Sequence, residues 1–193
     1  MPKKSAPVKL EYFGLMGSAQ LRKHLGVSQA TLTRLVKNES ITRLDYGLYI
    51  HPDCEIPPQE LDFAVACARF GTKSAVGGLT ALFHYGLTDQ APSQVWVIAP
   101  PQKSDHNRFY RAMRTKTPSS VGINKFEFYR MTNIERTIVE ALRFSSKIGE
   151  RIAISAARKA IQQKLTTEKK LGEMATKLKL RPVIEKYWES IVT

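Results

Sequence analysis

The sequence predicts an α+β fold, in which an N-terminal winged helix-turn-helix is followed by a mixed α/β domain that ends in helices. Two short amphipathic segments are joined by a tight turn and followed by a strand-rich stretch around a glycine. Strand-like and helix-like runs then alternate through the rest of the chain. Between these parts, "HPDCEIPPQE" holds three prolines in seven residues, which interrupt regular structure. We therefore expect a first domain at 1–52, a linker at 53–60 and a second domain at 61–193.

The first domain is expected to combine short helices with a β-hairpin. "GSAQLRKHLG" predicts a helix with Ser18 as its N-cap and Gly26 at its C-terminal stop. Ser28 is the predicted N-cap of the next helix, and two short strands are expected around a turn at Asp45–Gly47. A short opening helix is indicated by three apolar residues, Leu10, Phe13 and Leu15.

The stretch "GVSQATLTRLVKN" has the pattern of a helix that lies in a groove of DNA. Its inner face is predicted to pack on Leu21 and Leu25 through Val27, Leu32, Leu35 and Val36. Glutamine pairs with adenine, arginine pairs with guanine and alanine meets a thymine methyl group, whereas short hydroxyls and lysine suit phosphates. The candidate base-reading residues are Gln29, Ala30 and Arg34, and the candidate phosphate contacts are Ser28, Thr31, Thr33 and Lys37. The alternative is a helical hairpin whose polar face is only solvated.

The β-hairpin that follows is the predicted wing, and Arg43 is its candidate DNA contact. Either Arg43 reaches a minor groove or the DNA backbone, or it pairs with Asp45 near the tip, where a carboxylate is unfavourable beside phosphate. Both interpretations stay open at the level of the sequence.

The charge of the chain favours a polyanionic partner. Thirty Lys and Arg against seventeen Asp and Glu give a net charge of +13, and nucleic acid is the commonest polyanion in a cell. No apolar run approaches the about 18–20 residues of a membrane span. The start, "MPKKSAPVKLEYFG", lacks the apolar region of a secretory signal. The expected location is the cytoplasm, without a membrane partner.

The cysteines and histidines do not predict a metal site. Cys54 and Cys67 lack metal-ligand spacing, and the four histidines are scattered along the chain. We expect free thiols, no metal and no cofactor.

The second domain is expected to begin and end with helices around two strands. Helices are predicted at Pro58–Phe70, over "SAVGGLTALFHYGL" with Ser74 as candidate N-cap, from Ile134 onwards behind a capping box Thr132…Glu135, at Gly149–Leu165, after an N-cap at Thr167, and from Pro182 to the end. Strands are predicted at "SQVWVIAP" and "INKFEFYRM".

The segment "KSDHNRFYRAMRTKT" is a candidate second basic surface. Its cations are Lys103, Arg108, Arg111, Arg114 and Lys116. Spacings of three residues place the arginines on one face of a helix, where like charges are unfavourable without an anion. The segment is either a second phosphate-contacting surface that extends the DNA footprint or a solvated loop.

No catalytic constellation stands out. A restriction-type nuclease would need acidic residues on adjacent strands followed by Glu-x-Lys, and Glu127 lacks that lysine. Asp89 is placed in a loop, and Glu135 is better explained by helix capping. His84 ends an apolar helix, where a packed histidine is commoner than a catalytic one. We expect a protein that is not an enzyme.

Three stretches resemble one family, the AbiEi type IV antitoxins of abortive-infection toxin–antitoxin systems, which act in phage defence. "GLMGSAQLRKHLGVSQATLTRLVKNESITRLDYGLYIHP" is similar to the winged-helix domain of that family. "SAVGGLTALFHYGLTDQAPSQVWVIAP" and "FEFYRMTNIERTIVEALRF" resemble two later segments in the same order.

The resemblance implies a function. Members repress their own operon by binding promoter repeats in double-stranded DNA through the winged helix. Their C-terminal domain counters a co-encoded nucleotidyltransferase-like toxin, commonly without a stable direct complex. Two alternatives remain at this level: a nuclease targeted by a winged helix, and a plain transcription factor whose second domain senses a partner.

Overall fold

The computed structural model describes residues 14–45, 47–103 and 108–192, and these ranges form an α+β fold. The α+β class that the sequence predicted is therefore confirmed. In chain order the elements are β1 (Leu15–Gly17), α1 (Ser18–Leu25), α2 (Gln29–Lys37), β2 (Thr42–Asp45), β3 (Leu48–Ile50), α3 (Pro58–Phe70), β4 (Ala75–Val76), α4 (Gly78–His84), β5 (Val95–Ala99), β6 (Tyr110–Arg114), β7 (Ile123–Lys125), β8 (Arg130–Thr132), α5 (Ile134–Arg143), α6 (Ser145–Ile148), α7 (Glu150–Gln162), α8 (Glu168–Lys177) and α9 (Arg181–Val192).

The first part of the described chain is a small three-stranded sheet that carries α1 and α2. All pairings in this sheet are antiparallel, and the strand order is β1-β3-β2. A compact core lies between the sheet and the two helices, with Leu21 and Leu32 fully buried. The other buried members of this core are Met16, Ile41 and Tyr49.

Leu15 lies in a strand and not in the predicted opening helix, so that prediction is wrong at this residue. Leu15 pairs with Ile50 and packs in the core beneath α3, whereas its neighbour Met16 packs in the core beneath α1 and α2. Successive strand residues face opposite sides, which explains why two adjacent apolar residues are both buried in different cores. Leu10 and Phe13 lie outside the described residues.

The cap of α1 also differs from the prediction. Gly17, not Ser18, occupies the N-cap position, and its backbone N–H donates to Gln20 Oε1 at 2.9 Å. Ser18 instead donates its backbone N–H to the carbonyl of Gly47 at 3.0 Å, which ties the helix start to the hairpin. The predicted C-terminal stop is confirmed, because Gly26 has φ +66°, a left-handed conformation that favours glycine.

The rest of the chain is built on a five-stranded mixed sheet of order β6-β5-β4-β8-β7. The pairs β5/β6 and β4/β8 are parallel, and β4/β5 and β7/β8 are antiparallel. Along β5, Trp96 and Ile98 pack with the helices from α5 onwards, whereas Val97 and Ala99 pack with α3. The sheet is therefore covered on both faces.

The predicted linker at 53–60 contains ordered structure. α3 begins at Pro58, and Ile56 is buried in the core that contains α3. Leu15 belongs to the same core, and Leu44 and Leu48 pack against it. The hairpin thus contacts the second part of the chain through apolar side chains.

Several elements of the second domain depart from their predicted form. The stretch from Ser74 contains a strand, β4, before the helix α4, and Ser74 donates to the carbonyl of Gly71 at 2.6 Å and does not cap α4. The "INKFEFYRM" stretch is two strands, β7 and β8, separated by a turn. Antiparallel pairing of β7 with β8 explains the break, because the chain reverses between them.

The capping box at Thr132…Glu135 is wrong. Asn133 is the N-cap of α5, and its side chain accepts the backbone N–H of Arg136 at 2.9 Å. Thr132 is fully buried in β8, where its hydroxyl lies 2.7 Å from that of Thr137. Glu135 Oε1 accepts from the hydroxyl of Thr166 at 3.0 Å, so this carboxylate links α5 to the start of α8.

Other predictions about the second domain are confirmed. The helix at Pro58–Phe70 and the strand within "SQVWVIAP" are present, and the Thr167 side chain caps α8 by accepting the N–H of Lys170 at 3.3 Å. The last helix contains Pro182 in its first turn and buries Tyr187. Within the described ranges, none of the helices combines the length and the apolar character that crossing a bilayer requires.

Candidate nucleic-acid interface

The candidate interface is built on α2, which is fixed at both its start and its inner face. The Ser28 side chain accepts the backbone N–H of Thr31 at 3.2 Å, so the predicted N-cap is confirmed. Leu32 is fully buried, and Val27, Leu35 and Val36 pack against the same core. The three residues between α1 and α2 form the tight connection that the sequence predicted.

The opposite face of α2 is exposed. The exposed candidates are Ser28, Gln29, Ala30, Thr33, Arg34 and Lys37, whereas Thr31 is half-buried. Arg34 and Lys37 stand three residues apart in the last turn, where cations interact favourably with the helix dipole. The structure therefore brings all of these predicted residues, Thr31 included, onto one short helix.

Hydrogen bonds within the protein hold some of these side chains. Gln29 Oε1 accepts from the Ser18 hydroxyl at 3.1 Å, which ties the start of α2 to the start of α1. Thr33 donates to the backbone carbonyl of Gln29 at 3.0 Å, and the hydroxyls of Thr31 and Ser28 lie 3.1 Å apart. To pair with adenine through two hydrogen bonds, the Gln29 amide would have to give up the hydrogen bond from the Ser18 hydroxyl.

The Ser28 cap provides a first prediction. Replacing Ser28 with Ala is expected to lower the free energy of unfolding by about 0.5–2 kcal/mol, because the N–H of Thr31 loses its acceptor. Urea denaturation followed by circular dichroism measures this change. Ser40→Ala, at an exposed position after α2, is the matched control and is expected to leave stability within about 0.5 kcal/mol. Equal stabilities of the Ser28 variant and the control would contradict the capping role.

Arg43 of β2 is exposed, and in the register of the hairpin it lies opposite Tyr49 of β3. The register shifts between Arg43 and Asp45, and Gly47 has φ +71°, so the hairpin is irregular at its tip. The side chain of Asp45 and residue 46 lie outside the described structure, and the predicted alternative of an Arg43–Asp45 pair is not tested.

Residues 110–114 of the second basic segment form the strand β6 and not a helix, so the predicted helical face is wrong. Parallel pairing with β5 sets its conformation: Trp96 pairs with Arg111 and Ala99 with Arg114. Because strand side chains alternate, Arg111 and Arg114 point to opposite faces of the sheet. The guanidinium of Arg111 lies 4.5 Å from the ring centroid of Trp96, a cation–π contact.

The cations of this segment therefore divide between two places. Arg108 lies 5.0 Å from the ring of Phe109, and Arg108 and Arg111 are at the beginning of β6. Arg114 and Lys116 are at its other end, and Lys103 reaches Gly71 at the end of α3. The five residues therefore do not form a single continuous surface.

Sequence reasoning missed two cations that lie close to β6, one near each of its ends. Lys73 lines the same pocket as Lys116, and Arg69 lies 5.7 Å from the ring of Tyr110 in β6. Arg69 belongs to the last turn of α3 and Lys73 follows that helix, so a basic C-terminal end to the helix was the signal available in the sequence. Their proximity to β6 depends on the packing of α3 on the sheet, which the sequence pattern did not reveal.

The acidic residues considered for nuclease chemistry occupy separate structural roles. Asp89 lies 3.9 Å from the ammonium of Lys159, Glu135 accepts from Thr166, and Glu127 is exposed in the turn between β7 and β8. Among the described residues, no three His, Cys, Asp or Glu side chains lie close enough together to hold a metal ion.

The cysteines differ in their surroundings. Cys67 is buried, and burial raises the pKa of its thiol above the ordinary value. Its Sγ accepts the backbone N–H of Arg130 at 3.3 Å and faces the carbonyl of the same residue at 3.5 Å. Cys54 is half-buried, and both thiols are free, as the sequence predicted.

The fold and the candidate interface define an α+β protein with an exposed, cationic helix carried by a small three-stranded sheet. The chain is similar in structure to the RV2827C protein from Mycobacterium tuberculosis, known from a crystal structure. The TM-score is 0.62 and the sequence identity 12%, and the match covers 93% of this chain and 76% of that one. At this identity the similarity shows a shared fold alone. No family model matches the sequence, and a comparison with curated proteins finds no match.

Proposed function

We propose that this protein is a DNA-binding repressor of its own operon, with the two helices and hairpin of residues 14–50 acting as a winged helix-turn-helix. The observation that carries the proposal is the outer face of α2, which is excluded from the core and presents Arg34 and Lys37 to solvent. The apolar face of α2 packs in the core with Leu21, and its polar face is exposed. A helix with this arrangement is suited to binding in a major groove of DNA. The net charge of +13 supports the same partner.

Within this proposal the residues have distinct roles. Arg34, Gln29 and Ala30 read base edges, because their side chains match guanine, adenine and the thymine methyl group. The phosphate contacts are Ser28, Thr31, Thr33 and Lys37, with Arg43 reaching the backbone from the hairpin. The second group of cations near the end of β6 extends the footprint. In this proposal the protein acts by binding DNA and not by catalysis, and it does so in the cytoplasm.

Lys37 supplies a prediction that separates phosphate contact from base reading. Lys37→Ala is expected to weaken binding to specific and random DNA alike and to reduce the slope of log K against log salt by about one, because one phosphate contact is lost. Fluorescence anisotropy on both DNAs over a salt series measures this. Lys169→Ala, an exposed lysine of α8, is the control and is expected to leave the slope unchanged. A loss restricted to specific DNA would assign Lys37 to base reading.

The antitoxin part of the proposal rests on the resemblance of the three stretches to AbiEi antitoxins. In this role the second domain counters a co-encoded nucleotidyltransferase-like toxin without forming a stable complex. Growth rescue of cells that express the neighbouring gene tests it. An Arg34→Ala, Lys37→Ala variant should still rescue growth, since the two activities belong to different domains. Failure of the wild-type chain to rescue would leave a transcription factor.

A further inference from the structure

A small pocket opens at the carboxyl ends of the parallel strands β5 and β6. Its volume is about 170 Å³, and Ala99, where β5 ends, is part of its wall. The polar lining consists of Lys73, Thr115, Lys116, Thr117, Ser119 and Arg136. Ligands in open α/β sheets bind outside the carboxyl ends of the strands, where side chains from successive loops converge.

The mouth of the pocket is cationic. Lys73 and Lys116 are both exposed there, and within the described residues neither forms a salt bridge with a carboxylate. The two lysines come from separate segments, one after α3 and one after β6. Their convergence without a carboxylate is unfavourable by itself, and an anion between them would remove that cost.

The wall of the pocket contains a buried arginine. Arg136 is only 1% exposed, and its Nη1 donates to the carbonyls of Pro118 at 2.7 Å and Val121 at 2.5 Å. Its Nη2 donates to Thr117 Oγ1 at 3.0 Å. The Nε–H has no acceptor among the described residues. Burial lowers the pKa of the Arg136 guanidinium, so the charged form would gain from a nearby anion.

Behind Arg136, the ionic groups do not neutralise the pocket. Glu140 is fully buried, and its two carboxylate oxygens lie 3.5 Å from Arg136 Nη2 and 3.5 Å from Arg143 Nη1. Two guanidinium groups thus share one carboxylate. With the two lysines at the mouth, the site keeps an excess of positive charge.

The size of the pocket limits what it holds. Its 170 Å³ equals roughly six water molecules at about 30 Å³ each, well below the about 300–1,000 Å³ of drug-sized ligand pockets. A tetrahedral oxyanion fits such a volume, whereas a whole nucleoside does not. Hydroxyl, lysine and arginine donors are those that bind phosphate groups in proteins.

We propose that this pocket binds a phosphate group, carried either by a nucleic-acid backbone or by a free phosphate monoester. The ammonium groups of Lys73 and Lys116 and the hydroxyl of Ser119 contact the phosphate oxygens at the mouth. Arg136 supplies buried positive charge and holds the 117–121 loop that shapes the pocket. The site is separate from α2 and does not depend on base reading by that helix.

Inorganic phosphate tests the pocket directly. In a titration of the ¹⁵N-labelled protein at constant ionic strength, saturable amide shifts are expected at Thr115, Lys116, Thr117 and Ser119. A Lys73→Ala, Lys116→Ala variant should bind phosphate about a hundredfold or more weakly, because two charge-assisted hydrogen bonds are lost and each corresponds to about tenfold in affinity. The matched control, Lys125→Ala with Lys169→Ala, removes two exposed lysines that do not line the pocket and should bind as the wild type does. The proposal is overturned if sodium chloride produces the same shifts, or if the pocket variant binds phosphate as the wild type does.

A second arm identifies the source of the phosphate, with a 20-base-pair duplex of random sequence as the probe. If the pocket takes backbone phosphates, the duplex displaces inorganic phosphate, and the pocket variant lowers the salt slope of duplex binding by about two. If it takes a free monoester, the duplex leaves the phosphate shifts in place and adenosine monophosphate displaces them. The first arm contains no DNA, so it stands even if α2 does not bind an operator.

Discussion

Arg34→Ala is expected to weaken binding to the DNA upstream of this chain's own gene by about 1–3 kcal/mol and to relax the preference at one base position. Arg34 is exposed in the last turn of α2, with its backbone fixed by the core around Leu32. A guanidinium there presents paired donors to guanine O6 and N7, and alanine leaves those acceptors unpaired. A mobility-shift titration at two salt concentrations, with competitor DNA present, measures the effect.

The control for this experiment is Arg151→Ala, which removes an exposed arginine from α7. It changes the net charge equally and should leave specific binding close to that of the wild type. Binding of the Arg34 variant as tight as wild type would show that α2 does not read bases through this residue. If the wild type itself bound weakly, independently of sequence and only at low salt, the binding would be explained by general electrostatic attraction and not by a specific interface.

Arg136→Ala is expected to have the largest effect on stability, a loss of about 3–5 kcal/mol in the free energy of unfolding. The substitution removes the donors to the carbonyls of Pro118 and Val121, and it leaves buried Glu140 with Arg143 as its remaining cation and the Thr117 hydroxyl as a neutral donor. A buried charge without its partner costs far more than an exposed pair contributes. Urea denaturation with a fluorescence readout of Trp96 and Trp188 measures the change.

Two further variants test the cause of that loss. Arg136→Met combined with Glu140→Leu removes both charges and should be less destabilising than Arg136→Ala alone, because no buried carboxylate is left without its partner. Arg151→Ala serves again as the exposed control, with an expected change within about 0.5 kcal/mol. If Arg136→Ala were as stable as that control, the ionic network would not hold the 117–121 loop.

The sequence predicted local features well where a few neighbouring residues decide them. Ser28 and Thr167 cap their helices as expected, because an N-cap needs a short polar side chain and an N–H three residues later. The outer face of α2 follows from helical spacing once Leu32 is assigned to the core. The candidate residues on α2 could therefore be placed together from the sequence alone.

Predictions were wrong where a distant partner decides the conformation. Arg111 and Arg114 have helical spacing, yet β6 is a strand because it completes its backbone hydrogen bonds with β5. Thr132 has the residue type and spacing of a capping box, but it pairs with β7 as the last residue of β8. The N-cap of α5 is therefore Asn133. In each case tertiary hydrogen bonding overrode a local pattern.

By itself the sequence determined the α+β class, the amphipathic faces of the helices, the excess of positive charge and the candidates on α2, since all of these depend on composition and short-range periodicity. Only the tertiary structure decided that Lys73 and Lys116 line one pocket, and that Arg136 is buried in its wall and bonded to carbonyls 15 and 18 residues away. The physical reason is that burial, parallel strand pairing and the convergence of charges depend on contacts between segments far apart in the chain. The packing of α3 and α5 against the sheet creates those contacts, and residue spacing does not encode them.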